Sequence, residues 1–177
     1  MEDAPKKESI IQFPDIAREI MVMVKADQDM RERNILQDEH WDASVDKNNT
    51  VRMKQIVEEI GWPTVSKVGV EASYSAWLLV QHADHDVDFQ KHALSLMQEQ
   101  PSGEIDTKDL ALLTDRVRIN SGQPQLYGTQ FTQIDGKHVP KEIEDIANVD
   151  ARRKLIGLDT LAENIESMNV KYPFKKF

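Results

Sequence analysis

Residues 70–82 read VEASYSAWLLVQH, and this stretch decides the fold class. It is rich in small and apolar residues and contains neither glycine nor proline, which is typical of a helix buried on most of its sides. Trp77 is its largest side chain, and we expect it to lie in the core together with Trp62 and Phe89. The stretch therefore predicts a buried helix within a helical protein.

The residues before this stretch continue the helical pattern. Apolar residues at helical spacing predict an amphipathic helix that begins at Pro14, and proline suits the first turn of a helix. The polar segment over residues 37–49 is interpreted as a loop. A second helix is expected over residues 49–60, with Val51, Ile56, Val57 and Ile60 facing inward. Gly61-Trp62-Pro63 should end it, because glycine suits a left-handed cap and proline cannot continue the pattern.

The residues after the stretch predict further helices and one hairpin. Asp86 or Asp88 can cap the next helix, and Thr107 can cap the one that follows. Strand-forming residues at 126–134 and the Asp135-Gly136 turn signal predict a β-hairpin near residues 126–139. Two closing helices are expected over 149–156 and 160–168. The predicted fold is mainly α, a single compact domain of about six to seven helices with one hairpin.

The predicted domain spans residues 13–170, between an N-terminal flexible segment (1–12) and a C-terminal tail (171–177). The 177 residues carry a net charge of −9, which argues against nucleic acid as a partner. No segment is apolar enough for membrane insertion, and the start lacks the apolar core of a signal peptide. We expect a cytoplasmic protein, or a periplasmic or secreted one if a signal peptide has been removed. The oligomeric state is left open.

Candidate catalytic residues lie in the segment QHADHDVDFQ, residues 81–90, which holds two histidines and three aspartates. Histidine titrates near neutral pH, and a neighbouring carboxylate can fix its tautomer. His82 and His85 are therefore candidate general bases, with Asp84 or Asp86 as the carboxylate that orients them. Asp88 is a further candidate for this orienting role.

The same cluster predicts a metal site as an alternative. The chain has no cysteine, so a divalent metal cofactor would rely on His, Asp and Glu, and the candidate ligands are His82, His85 and Asp86. Another alternative treats His85-Asp86 as the core of an HD-type phosphohydrolase, with His40 upstream and Asp109 or Asp115 downstream. A structural alternative makes the cluster a solvated helix cap with His82 tucked into the core.

The amide-rich block over residues 123–130 supplies candidate substrate-binding groups. Glutamine and tyrosine recognise polar groups without adding charge, and glycine lets a ligand approach the backbone. An inward arginine can clamp a carboxylate or phosphate, although such arginines also pair with nearby aspartates. For Arg152 we favour this structural pairing. The candidate substrate-binding residues are Gln81, Arg116, Gln125, Tyr127, Gln130 and Arg153.

Several motifs occur together in a fixed order and resemble a family of bacterial proteins known as a domain of unknown function. They are GWP (61–63), AWLLVQHAD (76–84), DRV (115–117), GQPQLYGTQ (122–130) and RRKLIGL (152–158). The resemblance covers residues 27–162 and implies a bacterial source and one domain. It implies no activity and no assigned site.

Two functional hypotheses follow from the sequence. The first is a hydrolase-like enzyme that acts on a small polar substrate, with the His/Asp cluster as general base or metal site and Gln130 and Tyr127 positioning the substrate. The second is a non-catalytic binding or protein-interaction module in which these residues build a polar structural core.

Overall fold

The computed structural model describes residues 11–37 and 41–172. The chain forms two compact units. The N-terminal unit comprises Met1–Ala83 and Glu99–Ile105, and the C-terminal unit comprises Asp84–Gln98 and Asp106–Phe177. Most of the segment predicted to be flexible and most of the predicted tail lie outside the described residues. The single domain over residues 13–170 stays a prediction.

Four helices build the N-terminal unit: α1 (Pro14–Gln37), α2 (Ala43–Ile60), α3 (Val65–Val68) and α4 (Val70–Gln81). The helix predicted over residues 70–82 is confirmed as α4, and it packs against the other three. Ala76 and Val80 on α4 are fully buried, and Trp77 is 6% exposed. Trp62, which follows α2, is 1% exposed, so the predicted core position of both tryptophans is confirmed.

The start predicted for α2 is wrong by six residues. The helix begins at Ala43 because the carboxylate of Asp42 accepts the backbone N–H of Ser44 at 2.9 Å and caps a first turn that has no apolar pattern. The inward position predicted for Val51 is also wrong, since Val51 is 57% exposed. The end is as predicted: Gly61 adopts φ +68° and its N–H bonds to the carbonyl of Val57.

The C-terminal unit contains helices α5 (Val87–Gln98), α6 (Thr107–Asn120), α7 (Val149–Leu155) and α8 (Leu161–Lys171). A 3-10 turn (Ile146–Asn148) precedes α7. Asp86 caps α5 as predicted, because its carboxylate accepts the Phe89 N–H at 3.0 Å. The cap of α6 is Asp106 rather than Thr107, which is the first residue of the helix. Phe89 is 4% exposed, so its predicted core position is also confirmed.

The hairpin consists of β1 (Phe131–Ile134) and β2 (Lys137–Pro140), paired antiparallel with Phe131 opposite Pro140. Asp135 and Gly136 both have positive φ, +49° and +75°, as the predicted two-residue turn requires. The predicted first strand is too long, because residues 126–130 form a loop that is folded around a carboxylate. The fold is thus mainly helical with one hairpin in the described residues. None of the helices there is both long and apolar enough to cross a membrane.

Candidate functional site

His82 meets a carboxylate that is distant in sequence. Its Nδ1 lies 2.9 Å and 3.0 Å from the two carboxylate oxygens of Asp27 on α1. Asp27 is fully buried, and the side chain of His82 at the end of α4 is 17% exposed. The sequence predicted an orienting aspartate among Asp84, Asp86 and Asp88. The carboxylate that contacts His82 is instead Asp27, within the N-terminal unit.

Arg31 extends this pair into a four-residue cluster, which we call the Asp27 network: Asp27, Arg31, Asp46 and His82. The guanidinium of Arg31 donates to Asp27 at 3.0–3.2 Å and to Asp46 on α2 at 2.6 Å. Gln28 adds a further hydrogen bond to Asp27 at 2.7 Å. The buried carboxylate of Asp27 therefore has several donors, which is the usual condition for keeping a charge inside a protein.

Electrostatics keep Asp27 ionised. Burial raises the pKa of Asp27, but the hydrogen bonds from His82 and Arg31 outweigh burial and lower this pKa to about 2. Burial raises the pKa of Asp46, and the attraction of Arg31 only partly offsets that effect. Asp27 is thus a fixed negative charge at neutral pH.

An ionised Asp27 fixes the tautomer of His82. Since a carboxylate only accepts hydrogen bonds, Nδ1 must carry a proton, and in the neutral form of the ring the lone pair is at Nε2. Over residues 11–37 and 41–172, no group hydrogen-bonds to Nε2.

Trp41 lies beside the Asp27 network. Its ring centroid is 4.6 Å from the guanidinium carbon of Arg31, a cation–π distance, and the residue is 46% exposed. The N–H groups of Arg31 bond to Asp27 and Asp46. The arginine is therefore held between two carboxylates and an aromatic ring.

A second polar cluster forms in the C-terminal unit around Asp84. Arg116 on α6 contacts both of its carboxylate oxygens, and Asn120 donates to it at 2.8 Å. The Nε2 amide of Gln90 donates at 3.2 Å. Burial raises the pKa of Asp84, but the hydrogen bonds from Arg116, Asn120 and Gln90 and the charge of Arg116 together outweigh burial, so the pKa is lowered overall. Gln130 joins the cluster through Arg116 at 3.3 Å, so the structure brings three predicted site residues together.

The other members of the predicted cluster have different surroundings. His85 is exposed, and Asp86 caps α5. Gln81 is 5% exposed on α4. Within the described residues, no three His, Asp or Glu side chains are grouped so that they could hold a metal ion.

Gln125 and Arg153 are buried and bonded to the backbone. The Gln125 amide donates to the carbonyls of Gln130 and Lys141, both at 2.9 Å, and its oxygen accepts the Gln130 N–H at 2.8 Å. Arg153 is 1% exposed and donates to the carbonyl of Tyr127 at 2.6 Å. Burial lowers the pKa of Arg153. These hydrogen bonds account for the burial of both side chains, and we leave both out of the proposed site.

The loop over residues 126–129 is folded around Asp115. This fully buried carboxylate accepts the N–H groups of Leu126, Tyr127 and Thr129 and the Thr129 hydroxyl, at 2.7–3.2 Å. Arg152 supports the same loop through the Leu126 carbonyl at 2.9 Å and lies 3.6 Å from Asp145. The structural pairing favoured for Arg152 is thus present, with Asp145 as its partner.

The HD-type phosphohydrolase hypothesis needs His40 and either Asp109 or Asp115 beside His85-Asp86. His40 lies outside the described residues, and Asp115 is fully engaged with the 126–129 loop. Asp109 lies in the first turn of α6, where burial, with a smaller contribution from Asp106, raises its pKa to about 7.

Sequence reasoning missed Asp27, Arg31 and Asp46. A signal was present, because Asp27 follows Ile20 and Met23 at seven and four residues and so falls on the apolar face of α1. A charged residue on that face needs a buried partner. The identity of this partner is a tertiary contact that the spacing does not give.

Comparison with known proteins gives a family but no activity. No curated protein and no solved structure matches the chain. A family model described as a family of unknown function, DUF6624, matches residues 14–176. This match spans nearly the whole chain and includes the Asp27 network and the Asp84 cluster. The chain therefore belongs to this family of unknown function, DUF6624.

Proposed function

We propose that the protein is a hydrolase-like enzyme in which His82 acts as general base on a small polar substrate. The observation that carries the proposal is the contact of both Asp27 oxygens with His82 Nδ1, at 2.9 Å and 3.0 Å. A buried carboxylate on one ring nitrogen orients the imidazole and leaves the other nitrogen for proton transfer. Asp27 is a positioning residue in this proposal.

The charges of the network suit this role. Asp27 contributes a negative charge at neutral pH, and the positive charge of Arg31 is shared between Asp27 and Asp46. A positive charge that develops on the imidazole during proton transfer is therefore balanced locally. The substrate we expect is neutral or cationic, because an anionic group beside these carboxylates would be repelled.

A second candidate function is a non-catalytic interaction module with a polar structural core. The observation that favours it is that the same contacts join α1, α2 and α4 through Asp27, Arg31 and Asp46. Hydrogen-bonded polar groups inside a protein can have a purely structural role, which is to fix the packing of helices. The two functions differ in whether Nε2 of His82 is needed.

Substitution at His82 separates them. In His82→Asn, the amide nitrogen takes the place of Nδ1 and can still donate to Asp27, but no group replaces Nε2. His82→Ala removes both nitrogens. Hydrolysis would be measured on a panel of neutral, cationic and anionic p-nitrophenyl esters, amides, glycosides and phosphates, and stability by thermal unfolding.

We expect His82→Asn to retain the melting temperature within a few degrees and to lose about 10²–10⁴-fold of the rate on whichever neutral or cationic substrate the wild type hydrolyses. His92→Asn is the matched control, since His92 lies exposed on α5. It should leave the rate and the stability unchanged. If His82→Asn hydrolyses at the wild-type rate while His82→Ala only loses stability, the polar structural core is correct and the enzyme proposal is wrong.

A further inference from the structure

An apolar groove runs along the N-terminal unit where α1 passes the α3–α4 junction. Its volume is about 610 Å³. Apolar side chains from both sides line most of it, among them Ile11, Pro14, Ala17, Met21, Val22 and Val70. The Oγ of Ser75 on α4 contacts the sulfur of Met21 at 3.4 Å, so α1 and α4 are in contact beside the groove.

Large apolar residues around this groove face solvent. Val22 is 70% exposed, Val70 is 69% exposed, and Tyr74, one helical turn after Val70, is 50% exposed. Single exposed apolar residues are ordinary, but several around one groove indicate a surface that associates with something apolar. The groove and these residues together are called the α1–α4 face.

Two opposite charges flank the α1–α4 face. Arg18 lies on the α1 side and Glu71 on the α4 side, and both line the groove. The ion-pair partner of Arg18 is Asp15 in the same exposed turn of α1. In the described part of the chain, Glu71 has no ion-pair partner. Arg18, which is bonded to Asp15, thus lies on one side of the apolar centre and Glu71 lies on the other.

We propose that the α1–α4 face is a self-association surface on which two copies of this chain pack about a two-fold axis. A two-fold interface brings the same patch of each copy together, so a patch with opposite charges on its two sides is complementary to itself. Arg18 then meets Glu71 of the partner subunit, and the reverse pair forms at the other end. Val22, Val70 and Tyr74 fill the apolar centre.

The first test places a charge in the apolar centre. Sedimentation velocity and light scattering on the full chain, from about 1 to about 300 μM, should show a monomer–dimer equilibrium. Val22→Glu should raise the dimer dissociation constant at least about 10-fold, because each copy would bury a carboxylate without a partner. Val51→Glu is the matched control, since Val51 is a 57% exposed valine on α2 outside the groove. It should leave the constant unchanged.

The second test reverses the charges. Each pair occurs twice in a two-fold interface, so Arg18→Glu or Glu71→Arg alone should raise the dissociation constant about 2- to 30-fold. The double variant should return it to within about 3-fold of the wild type. Lys91→Glu is the control, because Lys91 forms an exposed ion pair with Asp88 on α5, outside the groove.

Several outcomes would overturn the proposal. A chain that stays monomeric over the whole concentration range has no such interface, and a dimer that is insensitive to Val22→Glu uses another surface. Failure of the double variant to restore association would refute the charge pairing. A monomer that binds the apolar dye ANS and loses it with Val22→Glu would assign the groove to a small apolar ligand instead of a second copy. Circular dichroism would confirm that each variant is folded.

Discussion

Replacing Asp27 with asparagine tests the Asp27 network most directly. The substitution keeps the size of the side chain but removes its charge and turns one oxygen into an amide that can only donate. That amide would face either the Nδ1–H of His82 or the guanidinium of Arg31, both of which are donors. Asp46 would remain as a carboxylate partner of Arg31. We therefore expect loss of stability at neutral pH and loss of the tautomer preference of His82.

The magnitude follows from the pKa of Asp27. The pKa falls from the ordinary value of 3.8 to about 2 on folding, which corresponds to about 2 kcal/mol of stability from the ionised form. Because the folded-state pKa is the lower one, this contribution is fully present above about pH 5 and is lost as the pH falls towards 2. At pH 3 about half of it remains. The amide that faces a donor in Asp27→Asn lowers the unfolding free energy by a further ~1–2 kcal/mol, and this loss does not depend on pH.

Urea denaturation at pH 7, 5, 4 and 3 would measure these terms. The difference in unfolding free energy between wild type and Asp27→Asn should be about 3–4 kcal/mol at pH 7 and should shrink by about 1 kcal/mol at pH 3. Asp29→Asn is the control, since Asp29 is half-exposed on the same helix and pairs with Lys25. It should cost less than about 1 kcal/mol. A difference for Asp27→Asn that is the same at pH 7 and pH 3 would show that its carboxylate is not held in the ionised form, and the reasoning about His82 would fail with it.

Three further predictions concern the C-terminal unit. Asp109→Asn should stabilise the protein by about 1–2 kcal/mol at pH 8 and leave its stability unchanged at pH 3. The folded-state pKa of about 7 means that ionising Asp109 destabilises the fold as the pH rises, and partial exposure to solvent reduces this destabilisation. Thermal melts at both pH values would check this. Asp115→Ala should cost more than about 3 kcal/mol in urea denaturation, since it leaves three loop N–H groups without their acceptor; a cost below 1 kcal/mol would contradict the structural role. Gly128→Ala should destabilise the protein by about 2–4 kcal/mol, because the added Cβ would lie 2.7 Å from a side-chain carbon of Leu161 and 2.9 Å from one of Ile143. Gly122 has a similar positive φ but open space around it, so Gly122→Ala should cost about 1 kcal/mol. Equal costs for the two glycine variants would contradict the close packing at Gly128.

Local patterns were enough to predict most of the helices and the hairpin turn. The run over residues 70–82 is rich in small and apolar residues, and Asp135-Gly136 has the positive φ values that its residue types favour. The start of α2 could not be predicted from apolar spacing, because the first turn is polar and depends on the cap at Asp42. Residues 126–130 have strand-forming residue types but form a loop, because their backbone donors bond to Asp115, which lies on another element.

The candidate site was predictable only in part for a similar reason. The sequence pattern identified His82 as a candidate general base, and the predicted residues Asp84, Arg116 and Gln130 do lie together. The carboxylate that contacts His82 is 55 residues away in sequence, on a helix whose pattern marks only that Asp27 faces inward. Sequence spacing identifies neighbours on one helix face, and it gives no information on which other helix supplies the partner.

The nearby aspartates show why proximity in sequence misled. Asp84 accepts hydrogen bonds from Arg116 and Asn120 on α6, and Asp86 caps α5. Both carboxylates therefore have a structural role that does not involve His82. Aspartates after a buried helix commonly serve such caps and ion pairs, and their density in residues 84–88 needs no catalytic reason. A buried aspartate on an apolar helix face has no such explanation, because burying it is unfavourable unless a partner offsets the cost. Asp27 is therefore the residue whose presence argues most strongly that the position of His82 matters.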